Sequence, residues 1–180
     1  MRPVLTLLIG LGICTGTGAV VAAGLVAGTI PANAEVTAEV IAISPFDVGD
    51  PAIGLLDPAL RSAVQQAATA AAADGVSITV TSGWRSLEFQ QWLLDDAVAA
   101  YGSVAAARRF VQTPEQSRHV LGQAADLGGM GADQWLTGNA ARFGLCRIYA
   151  NEPWHFELAA GPGGGCPPLL PDASYPGFPA

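Results

Sequence analysis

The chain holds two histidines, His119 and His155, and each stands among residue types that can do chemistry. Ser117-Arg118-His119 is followed at i+7 by Asp126, with Gly122, Ala124 and Ala125 between them. Glu152-Pro153-Trp154-His155 sets a carboxylate three residues before the second imidazole. Two imidazoles and one carboxylate suffice for a catalytic zinc that keeps a fourth position open for water. Such an ion lowers the pKa of water toward ~7, and a neighbouring carboxylate can then take the proton. Singly, these residues mean less: a lone histidine is ordinarily structural, and a lone carboxylate beside it is a surface pair worth little. Spacing leaves two geometries open for His119 and Asp126. A bend at Gly122 would bring them together, and a plain helix would also put i and i+7 on one face.

The flanking elements must position these groups. Trp154–Leu158 alternates, placing Trp154, Phe156 and Leu158 on one face and His155 and Glu157 on the other. Trp154 is expected to pack beneath His155. Pro153 disfavours a helical Glu152, so a turn can swing that carboxylate toward His155. Glu157 shares a face with His155 and is the rival base. Upstream, residues 35–56 read as a lead-in arm with one short strand. Asp57 and Pro58 open a helix with Leu60, Val64 and Ala68 on its apolar face, closed by Asp74-Gly75. Val76–Thr81 is β-branched and reads as a strand. Ser86 caps a second helix whose predicted buried stripe is Phe89, Trp92, Leu93 and Val98. A third runs through Ala105–Val111, and a fourth from Ala132 to Phe143 ends at Gly144. Residues 117–130 are a glycine-dense mixed segment. Short strands are expected at Cys146–Tyr149 and Trp154–Leu158. Trp84, Trp92 and Trp135 read as core or groove wall, and Asp95-Asp96 and Arg108-Arg109 as solvated helix surface. Helices and short strands without βαβ alternation imply an α+β fold.

Composition narrows the function classes. Apolar residues are 51% of the 180 and charged ones 13%, so the chain is no disordered tract. Eight basic residues, all Arg, against 15 acidic ones give a net charge of −7. No basic footprint for nucleic acid is present, and no G-x-G-x-x-G or P-loop points to a nucleotide. Arg2, the uncharged run Val4–Ile30 and Ala32-Asn33-Ala34 read as a secretory signal cleaved after Ala34. That run exceeds the ~7–15 residues of a signal core and would also meet the ~20 residues of a membrane span. Residues 1–34 are therefore a signal peptide or a membrane anchor through residues 4–30; glycines such as Gly10, Gly16 and Gly24 weaken it as a rigid span. Cys14 is no lipidation signal, since Ile13 stands where a small residue is needed. Either way the domain works outside the cytoplasm. Beyond the leader only Cys146 and Cys166 remain, an even pair in an oxidising compartment and hence an expected disulfide. Closing the loop between them is worth roughly 3 kcal/mol in the chain-entropy model. No C-x-x-C accompanies them to suggest zinc ligation. From Ala159 onward Pro and Gly dominate, a tail expected to be held mainly by Cys166; residues 161–180 form this tail and residues 57–160 the domain proper.

Three ordered blocks complete the reading: Ser82-Gly83-Trp84-Arg85-Ser86 with Gln90; Ser117-x-His119-x-x-Gly122-x-Ala124-x-Asp126; and Glu152-x-Trp154-His155. Together they resemble the VanY-type D-alanyl-D-alanine carboxypeptidases over roughly residues 55–160. The resemblance implies a small antiparallel sheet flanked by helices with zinc in a central groove, a Hedgehog/DD-peptidase-like α+β fold. It implies that His119, Asp126 and His155 bind one Zn2+, that Glu152 is the general base, that Arg85 handles negative charge on the substrate and that Ser117 supports the substrate or the site. An Arg fork suits a terminal carboxylate or a developing oxyanion better than Lys would. Two positions depart from the family: Trp84 stands where Tyr is usual, and the stretch from Gly144 to Glu152 is shorter, which trims a groove wall and bears on substrate length.

The expected function is a zinc metallopeptidase acting on peptidoglycan peptides and removing the terminal D-Ala. An endopeptidase of the same fold is the near alternative, distinguishable by product mass. A non-catalytic cell-wall-binding domain is the distant one, and Glu152 argues against it because a structural zinc needs no free base.

Overall fold

The computed structural model describes residues 42–159 and 164–175. The leader, with its predicted cleavage site and apolar run, lies outside the described residues. Among the described residues no helix is long and apolar enough to cross a membrane.

Asp50 caps a short helix, α1 (Pro51–Gly54), accepting a hydrogen bond from Ala52 N. Asp57 likewise caps α2 (Pro58–Ala73), accepting from Ala59 N and Leu60 N with Pro58 in the first turn. The chain then forms β1 (Thr79–Ser82), α3 (Leu87–Tyr101), α4 (Val104–Ala107), β2 (Ala124–Gly128), α5 (Ala132–Asn139), a 3-10 turn (Ala140–Phe143), β3 (Leu145–Arg147) and β4 (His155–Leu158). The four strands make one antiparallel sheet in the order β1-β2-β4-β3. The fold is thus α+β, a small antiparallel sheet with helices.

Alternation sorts the sheet's residues between two faces. Val80, Ala125, Leu127 and Phe156 join Leu60, Ala63, Val64, Ala67 and Ala71 of α2 in the main core, with Trp135 and Leu136 of α5. Alanines along α2 let the helix approach the sheet closely, and each fully buried Leu or Val contributes about 1.5–3 kcal/mol. The opposite face carries Ser82, Asp126, His155 and Glu157.

Several expectations change. Among the described residues of the lead-in arm, from residue 42, no strand forms: Ile43 makes an isolated bridge with Val80, and α1 follows. The glycine-dense segment 117–130 contains β2, a central strand. Its sequence, Ala-Ala-Asp-Leu-Gly, lacks β-branched residues, and pairing on both edges overrides that weak propensity. The predicted third helix shrinks to Val104–Ala107. On α3 the buried residues are Gln90, Leu94 and Ala97, whereas Phe89 (49% exposed) and Trp92 (58%) face outward, stacked on each other at 5.6 Å. The helix turns inward the face that brings Gln90 to Arg85, not the one with the largest rings. Trp92 is therefore neither core nor groove wall. Trp154 is 46% exposed and stands at the edge of a cleft rather than beneath His155.

The tail is held by more than Cys166. The Cys146–Cys166 disulfide is present, with S–S 2.06 Å and Cα–Cα 5.5 Å. Leu170 also bridges Tyr149 in parallel, and Arg109 Nε donates to Asp172 Oδ2 at 2.9 Å. Arg109 is thus a tether as well as a surface residue.

Candidate metal centre

Strand register assembles the site. On β2, Asp126 lies opposite His155 of β4 and, on its other side, opposite Ser82 of β1, beyond an irregularity between Val80 and Ser82. Directly opposed residues share a face, so Asp126 and His155 point into the same space. His119 arrives on a turn just before β2. Gly122 closes that turn at φ +70, its N–H donating to His119 O at 3.0 Å. A Cβ on Gly122 would come within 2.6 Å of Leu55 O, so only glycine lets the turn sit against α1–α2. Gly83 is equally constrained: a Cβ there would lie 1.9 Å from Ala52 O. Its carbonyl accepts from His119 Nδ1 at 2.8 Å.

Three donor atoms converge. His119 Nε2 lies 3.2 Å from His155 Nδ1 and 3.4 Å from Asp126 Oδ1, and His155 Nδ1 lies 3.2 Å from Asp126 Oδ1. Ligands at ~2.0–2.1 Å from a tetrahedral zinc stand about 3.3 Å apart, so the trio has the dimensions of one face of such a site. The remaining ring nitrogens are committed elsewhere. His119 Nδ1 bonds Gly83 O, and His155 Nε2 bonds Glu157 Oε1 at 3.1 Å. Those partners orient each ring and leave the converging nitrogen free to ligate. Arg118 Nε stands 3.8 Å from Glu157 Oε2 and helps to balance that buried carboxylate. Glu157, the rival base, is therefore engaged behind His155.

Glu152 reaches the same point from the turn before β4. Its Oε2 lies 3.9 Å from His155 Nδ1, and its Oε1 is buried and has no hydrogen-bond partner among the described residues. A buried, unpaired carboxylate oxygen beside three convergent ligand atoms is an orphan that a metal-site water would satisfy. The donor set and this orphan both fit a zinc centre. Burial pushes the Glu152 carboxyl up to about 7, His155 and Arg85 opposing and Asp126 reinforcing the shift. Burial also lowers His119. It works against ionised Asp126 as well, yet the two imidazoles prevail and hold that carboxyl well below the usual range. His155 is raised to about 9: its burial is outweighed by hydrogen bonds to Asp126 and Glu157.

Arg85 forms the cationic side of the centre. Its Nη2 donates to Asp126 Oδ2 at 3.0 Å, Nε to Ser82 Oγ at 2.8 Å and Nη1 to Gln90 Oε1 at 3.2 Å. Asp126 thus gives one oxygen to the histidines and the other to Arg85. Gln90 donates on to Gln112 O at 2.9 Å, and Gln112 Nε2 to Tyr149 OH at 3.1 Å. This chain of amides was not visible in the sequence beyond Gln90, because it links side chains far apart along the chain. Arg85, Gln90, Gln112, Tyr149, the three ligand residues and Glu152, with Ser117, Phe110, Val111, Trp154 and Ala173, line one cavity of about 180 Å3. The structure thus brings together every predicted site residue outside the disulfide: Arg85, Ser117, His119, Asp126, Glu152 and His155.

The stretch that matches known proteins contains these site residues. Residues 54–160 match the model of the VanY family, D-alanyl-D-alanine carboxypeptidase. The chain belongs to that family. A D-alanyl-D-alanine carboxypeptidase of Enterococcus faecalis is 34% identical over 127 residues, which cover 57% of this chain and 47% of the relative. The chain therefore spans about half the length of the curated relative it matches. Among solved structures, a point mutant of the vancomycin-resistance D,D-pentapeptidase VanY in complex with Zn(II) is 35% identical, with a TM-score of 0.53 over 57% of this chain and 71% of that one. VanYB in complex with D-alanine-D-alanine is 33% identical at the same TM-score, covering 57% and 70%. The LdcB LD-carboxypeptidase, at 23% identity and TM-score 0.51 over 57% and 58%, shares the VanY-type fold.

Proposed function

We propose that the chain is a zinc-dependent carboxypeptidase that removes the terminal D-Ala from peptidoglycan stem peptides ending in D-Ala-D-Ala. The observation that carries this reading is the convergence of His119 Nε2, Asp126 Oδ1 and His155 Nδ1 within 3.2–3.4 Å, with Glu152 beside them. These three residues would hold the ion. Zinc in that place supplies Lewis acidity toward the scissile carbonyl and toward water. Glu152 takes a proton from the attacking water and delivers it to the departing amine as the C–N bond breaks. The products are free D-Ala and a shortened peptide. Arg85, fixed at three points, presents its planar fork to the substrate carboxylate or to the developing oxyanion. Ser117, buried in the cavity wall, positions the peptide.

Substrate class is supported by the relatives, one named for D-alanyl-D-alanine carboxypeptidase activity and one solved with the dipeptide. We place the enzyme outside the cytoplasm, secreted or anchored through residues 4–30, a reading supported by the leader and by the Cys146–Cys166 disulfide.

Mass spectrometry of muropeptides digested with and without a chelator tests the proposal. The expected result is release of single D-Ala residues that stops on metal removal. Larger fragments would replace it with an endopeptidase, and hydrolysis indifferent to chelation would remove zinc from the reaction. Glu152→Ala should keep its metal and lose turnover by at least ~10²-fold; unchanged hydrolysis would exclude Glu152 as the base.

A further inference from the structure

The tail segment Leu170–Tyr175 lies beyond the residues that match the family model, yet it forms part of the cavity wall. We infer that Ala173, held in place by this segment, sets the largest side chain the cavity accepts next to the scissile bond. The inference rests on the carboxypeptidase reading above.

Ala173 is buried and lines the same cavity as His119, Asp126 and His155. It packs with Cys146, Ile148 and Tyr149 in a small apolar cluster, and the Tyr149 ring centre lies 5.2 Å from that of His155. Leu93, Phe110 and Val111 line the same cavity and add apolar surface to its wall. A pocket of that character takes a small alkyl group and excludes a larger one by collision. Collision discriminates only if the wall is rigid, and this one is tied down repeatedly. Leu170 N donates to Ile148 O and Ala150 N to Leu170 O, both at 2.8 Å. Asp172 accepts from Arg109 Nε at 2.9 Å, and Ala173 N donates to Arg109 O at 3.2 Å. Asp172 Oδ1 also accepts from Ser174 N at 3.0 Å. Gln112 Nε2, already bonded to Tyr149 OH, reaches Tyr175 O at 3.5 Å. Upstream, the disulfide pins Cys166 to β3. Arg109 and Asp172 make no hydrogen bond to the metal ligands or to Glu152. The Asp172 charge, which helps burial to raise the Glu152 carboxyl, acts alike on every peptide, so a ratio between substrates reads the wall.

The test compares the zinc-loaded wild type with Asp172→Ala and Ala173→Leu on three peptides. One ends in D-Ala-D-Ala, and in the others one or the other D-Ala is replaced by D-Leu. Wild type should discriminate against D-Leu in at least one position. Asp172→Ala, with its wall loosened, should raise kcat/KM for that D-Leu peptide relative to D-Ala-D-Ala by ~10-fold, with zinc content unchanged. Ala173→Leu, with the wall built inward, should move that ratio ~10-fold the opposite way, lowering kcat/KM for the D-Leu peptide more than for D-Ala-D-Ala, with zinc content unchanged. Ratios equal to wild type in both folded, zinc-loaded variants would overturn the inference. If wild type hydrolyses none of the peptides, the carboxypeptidase reading fails instead. Affinities of the three peptides for Glu152→Gln protein, in the wild-type and variant backgrounds, then decide the wall by the same ratios.

Discussion

The two faces of the four-stranded sheet are both largely buried but built differently, one packed against helix and the other lining a cleft. On one face Val80, Ala125, Leu127 and Phe156 meet the alanines of α2 in ordinary close packing. On the other, Ser82, Asp126, His155 and Glu157 are joined by hydrogen bonds and ion pairs to Arg85, Arg118 and His119. Packing is forgiving, because a lost methylene leaves a cavity whose cost is graded and local. A buried polar network is not, because each group removed leaves its partner unsatisfied or wrongly oriented. The apolar face should therefore govern stability, and the polar face should govern ligand binding.

The largest expected effect falls on the polar face. His119→Ala should reduce zinc stoichiometry from one toward zero by elemental analysis of the folded protein, with activity lost alongside. Full metal content in that variant would take His119 out of the ligand set. Next comes the apolar face: Phe156→Ala should lower unfolding free energy by ~3–5 kcal/mol in denaturant titration. Its zinc stoichiometry should stay at one under native conditions, although His155 is its neighbour in sequence. Metal loss from folded Phe156→Ala protein would show that the faces are not separable.

A subtler change sharpens the contrast. Glu157→Gln keeps the size of the side chain but weakens the acceptor behind His155 Nε2, so zinc affinity measured by competition with a chelator should fall ~10–100-fold. An unchanged affinity would make Glu157 a bystander. The smallest effect is reserved for a region that belongs to neither face. Trp92→Ala removes an exposed ring from α3 and should shift stability by no more than ~0.5 kcal/mol, read in the same denaturant titration. A larger loss would mean that the Phe89–Trp92 stack does packing work the exposure does not indicate.

Much of the polar face was legible in the sequence, since its chemistry depends on residue types that are scarce here. With only two histidines in the chain, blocks around His119 and His155 stood out, and the structure brings both together with Asp126 and Glu152. Helix α2 was equally plain, because Asp57, Pro58 and Gly75 are local signals that need no tertiary context. What escaped was non-local. Strand β2 carries Asp126 on a sequence with poor strand propensity and exists through its two neighbours. The predicted stripe of α3, Phe89, Trp92, Leu93 and Val98, follows apolar character, whereas the fold buries the face that carries Gln90, Leu94 and Ala97. Gln112, Tyr149 and the wall around Ala173 meet only after the sheet has formed.

The account stands or falls on one metal position. Crystals grown with zinc and measured across its absorption edge should give a single anomalous peak bounded by His119 Nε2, Asp126 Oδ1 and His155 Nδ1, with Glu152 beside it. A zinc-loaded protein whose peak lay elsewhere, or which bound no ion among those three atoms, would contradict it.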